Sequence, residues 1–179
     1  MKLDTDGNKN QRLGAQKLEF ELVELFKSES NNSATMAFHF DTEETNQFCD
    51  FTDAVLDIVS KSGIKHGSLS LFTPHTTTAV LINESETGYI NDFKRRLEEL
   101  VPSDSYYEHD DWDLRTENMQ EDENVNGRSH VRGTIIGSSG VTLPIINSEL
   151  IIGRWQRLFF VELDCARSRR LFVQTQDLN

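Results

Sequence analysis

Apolar and polar positions change period several times along this chain, and the changes lay out its elements. Over residues 16–26, Leu18, Phe20 and Leu22 alternate with Glu19 and Glu21, the period of two expected of a half-buried strand. Residues 34–40 repeat that pattern, with Met36, Phe38 and Phe40 set against Ala37 and His39. The period then lengthens. Phe48, Phe51, Val55, Ile58 and Val59 recur at three and four, which predicts a helix opening at Asp41 and stopping at Gly63. Asp41 and Glu44 have the spacing of a capping box at its start. Residues 67–73 and 77–83 predict two strands broken at Pro74-His75-Thr76. A second helix is expected over 86–100, with Ile90, Phe93, Leu97 and Leu100 inward and Pro102 beyond its end. Residues 130–136 predict a short helix, and 141–146, 150–152, 157–163 and 170–175 predict successive strands.

Strands grouped at both ends, with two main helices between them, give an α+β class: a single compact domain around a largely antiparallel sheet. Residues 1–14 are polar and unpatterned, and read as a disordered tail ahead of a domain over 15–179. One stretch fits no element. Nine of residues 103–127 are Asp or Glu against a single cation, Arg115, so this is a long acidic loop, and such loops are usually functional or mobile. The chain as a whole carries a formal charge of −12 over 179 residues. That field repels phosphate backbones and anionic lipid, which argues against nucleic acid and membrane partners. Cys49 and Cys165 are far apart and lack a CxxC neighbour, so neither a disulfide framework nor a cysteine metal site is indicated. With no signal-like or membrane-spanning run, the expected compartment is a reducing cytoplasm.

The candidate chemistry lies in three histidines. His75, His109 and His130 sit in dense polar segments, Thr-Pro-His-Thr-Thr-Thr, Tyr-Tyr-Glu-His-Asp-Asp and Gly-Arg-Ser-His-Val-Arg. They are 34 and then 21 residues apart, which matches no local zinc motif, so they are either three separate polar histidines or one convergent site. If convergent, a histidine set without cysteine suits Zn, Fe, Ni, Mn or Co better than Mg. Asp110 and Asp111 follow His109 and are able to orient a ligating ring, while Asn83-Glu84 closes the strand after the His75 segment. Arg167, Arg169 and Arg170 are clustered cations whose forks suit carboxylate or phosphate, or the acids of a solvated strand end. His39 and His66 read as structural.

Taken in order, His75-Thr76-Thr77-Thr78-Ala79, Asn83-Glu84, Asp92, Val101-Pro102, Tyr107-Glu108-His109-Asp110, Ser129-His130, Gly137, Gly153-Arg154-Trp155-Gln156 and Ser168-Arg169-Arg170 closely resemble the YjbQ-like family, whose members are commonly labelled secondary thiamine-phosphate synthase enzymes. The resemblance runs over about residues 16–176. It implies a homotrimer and a shared metal cluster of His75, His109 and His130, with Zn2+ the first candidate among divalent transition ions. It implies formation of thiamine phosphate from a pyrimidine diphosphate and a thiazole phosphate. On chemical grounds Glu84 and Asp110 are the candidate general bases. Thr76, Asn83, Trp155, Gln156 and Arg169 are the candidate contacts to a small, anionic substrate. A three-histidine ion suits water activation better than diphosphate departure. The rival reaction is therefore metal-assisted hydrolysis or elimination on a small phosphorylated or carbonyl compound, and the non-enzymatic rival is a metal- or ligand-binding trimer. Two departures from the family pattern stand out: the stretch between His109 and His130 is longer than usual, and Cys165-Ala166 stands where many members have Gly-Pro.

Overall fold

The computed structural model describes residues 14–178, apart from residues 17 and 31, so the expected tail over 1–14 lies outside the described residues save for Gly14. Among the described residues there are nine strands and three helices. The strands are β1 (Glu21–Lys27), β2 (Ala34–Asp41), β3 (Gln47–Asp50), β4 (His66–Phe72), β5 (Thr78–Glu84), β6 (Gly140–Ile146), β7 (Glu149–Leu150), β8 (Gln156–Glu162) and β9 (Ser168–Asp177). The helices are α1 (Thr52–Ser62), α2 (Thr87–Leu100) and α3 (Gly127–Ile136). The class is α+β, as the pattern predicts.

Every strand ladder is antiparallel, in a six-stranded sheet of order β1-β2-β9-β4-β6-β7 and a three-stranded sheet of order β3-β8-β5. The main core fills the space between the sheets. Phe38 and Phe40 of β2 meet Phe51 at 4.9 and 5.0 Å between ring centroids, and Phe160 of β8 meets Phe40 edge-on at 5.0 Å. A second core, with Phe48, Phe159, Val161, Ile90 and Leu97, lies on the other face of the small sheet, under α2. The small sheet is thus covered on both faces, which is why β8 reads as an unbroken apolar run.

The first predicted helix is shorter than its pattern. Residues 47–50 form β3 instead, because Asn46 takes a left-handed φ of 59° and the Gln47 side chain accepts the Glu43 and Glu44 amides. The Asp41–Glu44 box is unused. Asp50 Oδ1 accepts from the Thr52 amide at 2.9 Å and starts α1 one turn before Val55. Phe48 and Phe51 share a spacing of three by coincidence of strand and helix. Cys49, expected on a helix face, is fully buried in β3. The first strand is shorter than predicted, Gln16 making only an isolated bridge to Cys49. α3 starts three residues before its predicted position.

The candidate functional site

α3 sets one half of the site. Ser129 donates to the Leu163 carbonyl at 2.7 Å, and the fully buried Arg132 donates to the Val101 carbonyl and to Glu98, so the helix is pinned to the end of β8 and to the end of α2. Gly133 lets it lie against the β4–β5 connection, where a Cβ would stand 3.0 Å from the Thr76 carbonyl oxygen. His130, in the first turn, is thereby held over the loop that carries His109.

Asp110 supplies the other half. Its carboxylate accepts from the backbone amides of Asn126 and Gly127, both at 2.9 Å, the donors left unpaired at the start of α3. Oδ1 also lies 3.2 Å from His109 Nδ1. One acid therefore caps the helix and orients the ring. As a result His109 and His130 are 4.5 Å apart between ring centroids, tilted by 34°. Burial, then His109 alongside, pushes the His130 imidazole below its ordinary pKa, so the ring is neutral at pH 7. The pair opens into a cavity of about 820 Å³ also lined by Thr76, Asn126 and Arg167.

The acidic loop walls this cavity and is ordered around its single cation. Arg115 donates to the carbonyls of His109, Glu117 and Asn118 at 3.1, 3.2 and 3.0 Å and to Glu123 at 2.6 Å. Glu123 Oε1 in turn lies 3.8 Å from His109 Nε2. Sequence reasoning passed over Arg115, Glu123 and Asn126. The available signal was a lone arginine among nine acids.

His75 lies elsewhere. It lines a second cavity of about 380 Å³, with His39, Asp41 and Arg170. Its Nε2 accepts the Arg170 amide at 3.1 Å, and burial, with Arg169, Arg170 and Arg167 nearby, holds the ring down at about 4. It is neutral, with its one lone pair occupied. Only Thr76, the next residue, reaches the His109–His130 cavity. Among the described residues no group of three or more His, Cys, Asp or Glu side chains is gathered so as to hold a metal ion. His109 and His130 fit part of such a set. His75 does not fit it as placed.

The other candidates divide in the same way. Arg169 is buried, and its fork holds Glu162 at 2.6 and 2.7 Å, bridging β9 of the large sheet to β8 of the small one. It is not free for an anionic substrate. Asn83 and Glu84 end β5 opposite Arg157 and Gln156. Gln156 accepts the Gly153 amide, and the exposed Trp155 carries the Arg154 guanidinium over its ring at 4.7 Å. These four residues lie at the far end of a seven-residue strand from Thr78, about 20 Å from the histidine end. Within one chain Glu84 does not face His109 or His130.

Comparison with known proteins agrees with this architecture. The family model described as UPF0047 protein YjbQ-like matches residues 36–177. A UPF0047 protein of Methanothermobacter thermautotrophicus is 36% identical over 132 residues, 74% of this chain and 84% of its own. The UPF0047 protein YugU of Bacillus subtilis is 27% identical, over 74% of this chain and 92% of its own. Among solved structures, a hypothetical protein of Aeropyrum pernix superposes with a TM-score of 0.68 at 31% identity, covering 80% of this chain and 98% of that one. A YbjQ-like protein of unknown function from Sulfolobus solfataricus gives 0.64 at 29%, covering 80% and 99%. With its fold shared and four-fifths of its length matched, this chain belongs to the YjbQ-like UPF0047 family.

Proposed function

We propose that this protein is an enzyme whose reaction centre is the His109–His130 pair, and that its reaction is hydrolysis or elimination on a small carbonyl compound. The supporting observation is the pair itself: two imidazoles in one polar cavity, one of them held neutral and the other fixed at Nδ1 by Asp110. Neutral His130 accepts the proton and, once protonated, returns it to the oxygen that gains charge. His109, its Nδ1–H held by the Asp110 carboxylate, keeps its Nε2 lone pair to accept a hydrogen bond. The carbonyl class is preferred to the phosphorylated one because Arg169, the expected phosphate contact, is occupied by Glu162. Thiamine phosphate formation is carried as a secondary activity, since diphosphate departure calls for cations that these residues do not leave free.

A divalent transition ion, Zn2+ first, is the proposed cofactor in the rival reading: held through His109 and His130, it would occupy the lone pairs that otherwise take the proton. When bound it would polarise a substrate oxygen. Completing a three-histidine set requires His75 to release the Arg170 amide and turn. The homotrimer is likewise proposed. It offers Asn83, Glu84, Trp155 and Gln156 a role against a neighbouring copy, as they do not reach the histidines of their own chain. A reducing cytoplasm is the proposed compartment; Cys49 and Cys165 are both free thiols, and no helix among the described residues is long and apolar enough to cross a membrane.

The test is a turnover screen of metal-free and of zinc-loaded protein against small carbonyl and phosphorylated compounds, with a His130→Ala variant in parallel. Turnover that vanishes in the variant supports the proposal. Binding without turnover points to a passive ligand-binding protein. Turnover retained by a folded His130→Ala protein places the chemistry elsewhere.

A further inference from the structure

The acidic loop is built, not merely present. Arg115 ties four points of residues 109–123 together, and its side chain is only 15% exposed. Just beyond Glu123, Asn124 Nδ2 donates to Cys165 Sγ at 3.3 Å. The two departures from the family pattern, the long acidic stretch and Cys165, therefore touch each other.

The wall gives the cavity a definite electrostatic sense. Glu108, Glu117, Asp122 and Glu123 line it, against Arg115 and Arg167. Both arginines have a carboxylate partner, Arg115 with Glu123 at 2.6 Å and Arg167, through Nη2, with Asp164 at 3.0 Å, although the buried Arg167 Nε has no hydrogen-bond partner. Glu117 and Asp122 have no ion-pair partner among the described residues. The excess charge at the mouth is negative.

An independent observation points the same way from the floor. Asn126 is 94% buried by virtue of a 6% exposure, and it lines the cavity. Its Nδ2 donates to Asp164 at 2.9 Å, which fixes the amide so that Oδ1 is the remaining atom. That oxygen is buried and has no hydrogen-bond partner. A buried acceptor without a donor is costly, and a ligand that brings an N–H group removes the cost.

We propose that residues 111–125 form a selectivity wall, so that the His109–His130 cavity takes a ligand carrying a protonated amine and rejects diphosphate-bearing compounds. Asn126 Oδ1 accepts one N–H of the ligand, and the carboxylates of Glu117 and Asp122 compensate its charge. This names the substrate class of the site assigned above and rests on that assignment.

The experiment titrates the full-length protein with 1,4-diaminobutane and, separately, with inorganic pyrophosphate at low ionic strength, following the His109 and His130 ring resonances. The diamine is expected to shift both rings and to bind at least about tenfold more tightly than pyrophosphate, the scale on which a like-charged cleft concentrates counter-ions. In a Glu117→Gln/Asp122→Asn double variant that preference should shrink by about tenfold. Both sites are surface positions, so the fold is retained. Pyrophosphate binding as tightly as the diamine, neither probe moving the rings, or an unchanged preference in the double variant would overturn the wall. The outcome is separate from turnover: a diamine preference that persists while His130→Ala keeps full activity defeats the assigned reaction and leaves the wall standing.

Discussion

At the scale of single residues, the same side-chain chemistry serves different ends according to what the fold brings opposite it. Asp110, one of two candidate general bases in the sequence, has a carboxylate that accepts two helix-start amides and lies against His109 Nδ1. Asn and Asp cap helices about equally well, whereas a base cannot be replaced by an amide. Asp110→Asn is therefore expected to keep stability and most turnover, while Asp110→Ala loses about 1 kcal/mol in denaturant unfolding. A loss of activity of about 10²-fold or more in Asp110→Asn would instead support the role of base. Arg169 is a second case. Breaking a buried pair by removing one partner costs about 3–5 kcal/mol, so Arg169→Met should be strongly destabilised, and adding Glu162→Gln should recover much of the loss. The residue type was legible in the sequence. Its partner was not, because Glu162 and Arg169 lie in different sheets and meet only where the chain crosses between them.

At the scale of elements, alternation was a sound guide wherever one face of a strand is covered, as in β4, whose buried positions fall at every second residue, and at the end of β2, where Phe38 and Phe40 are buried on either side of the exposed His39. It failed at residues 41–63, where a strand and a helix abut and their apolar positions fall by chance at helical spacing. A left-handed Asn46 decides that boundary, and no local pattern announced it. The acidic loop was correctly placed but had no legible shape, since its order comes from one arginine and from contacts with His109 and Cys165. The join between loop and α3 is the element-scale feature on which the site depends. At Gly127 an added Cβ would stand 2.7 Å from Tyr107 Cβ and 3.1 Å from His109 Cβ. Gly127→Ala should push the 109–110 turn off the helix, lower thermal stability by about 1–3 kcal/mol and reduce turnover, while a Gly137→Asn change, at a left-handed helix end remote from both rings, should leave turnover intact.

At the scale of the molecule, the burial of His75 and the hydrogen bonds around Glu98 set the response to acid. The folded protein holds His75 near 4 against an ordinary value of 6.5, so between those values the unfolded chain binds the extra proton. Stability on that account is complete above about 6.5 and falls as the pH drops toward 4. Glu98, lowered from 4.5 to about 2 chiefly by the Ser103 amide, adds a second decline over that lower interval. Urea midpoints measured from pH 7 to 3 should fall in both intervals, and His75→Ala should flatten the upper one alone. Three histidines were legible as a candidate site, and the fold brings only two of them together, because convergence is a property of topology and not of spacing. The central claim is that those two act as one unit. Residues acting as a unit lose activity once, not twice. The most direct measurement is turnover in His109→Ala, His130→Ala and the double variant, on whichever compound the wild type converts. Each single variant is predicted to fall by about 10²-fold or more, with the double variant no lower than the worse of the two. Losses that multiply, or a folded variant with wild-type turnover, would contradict the account.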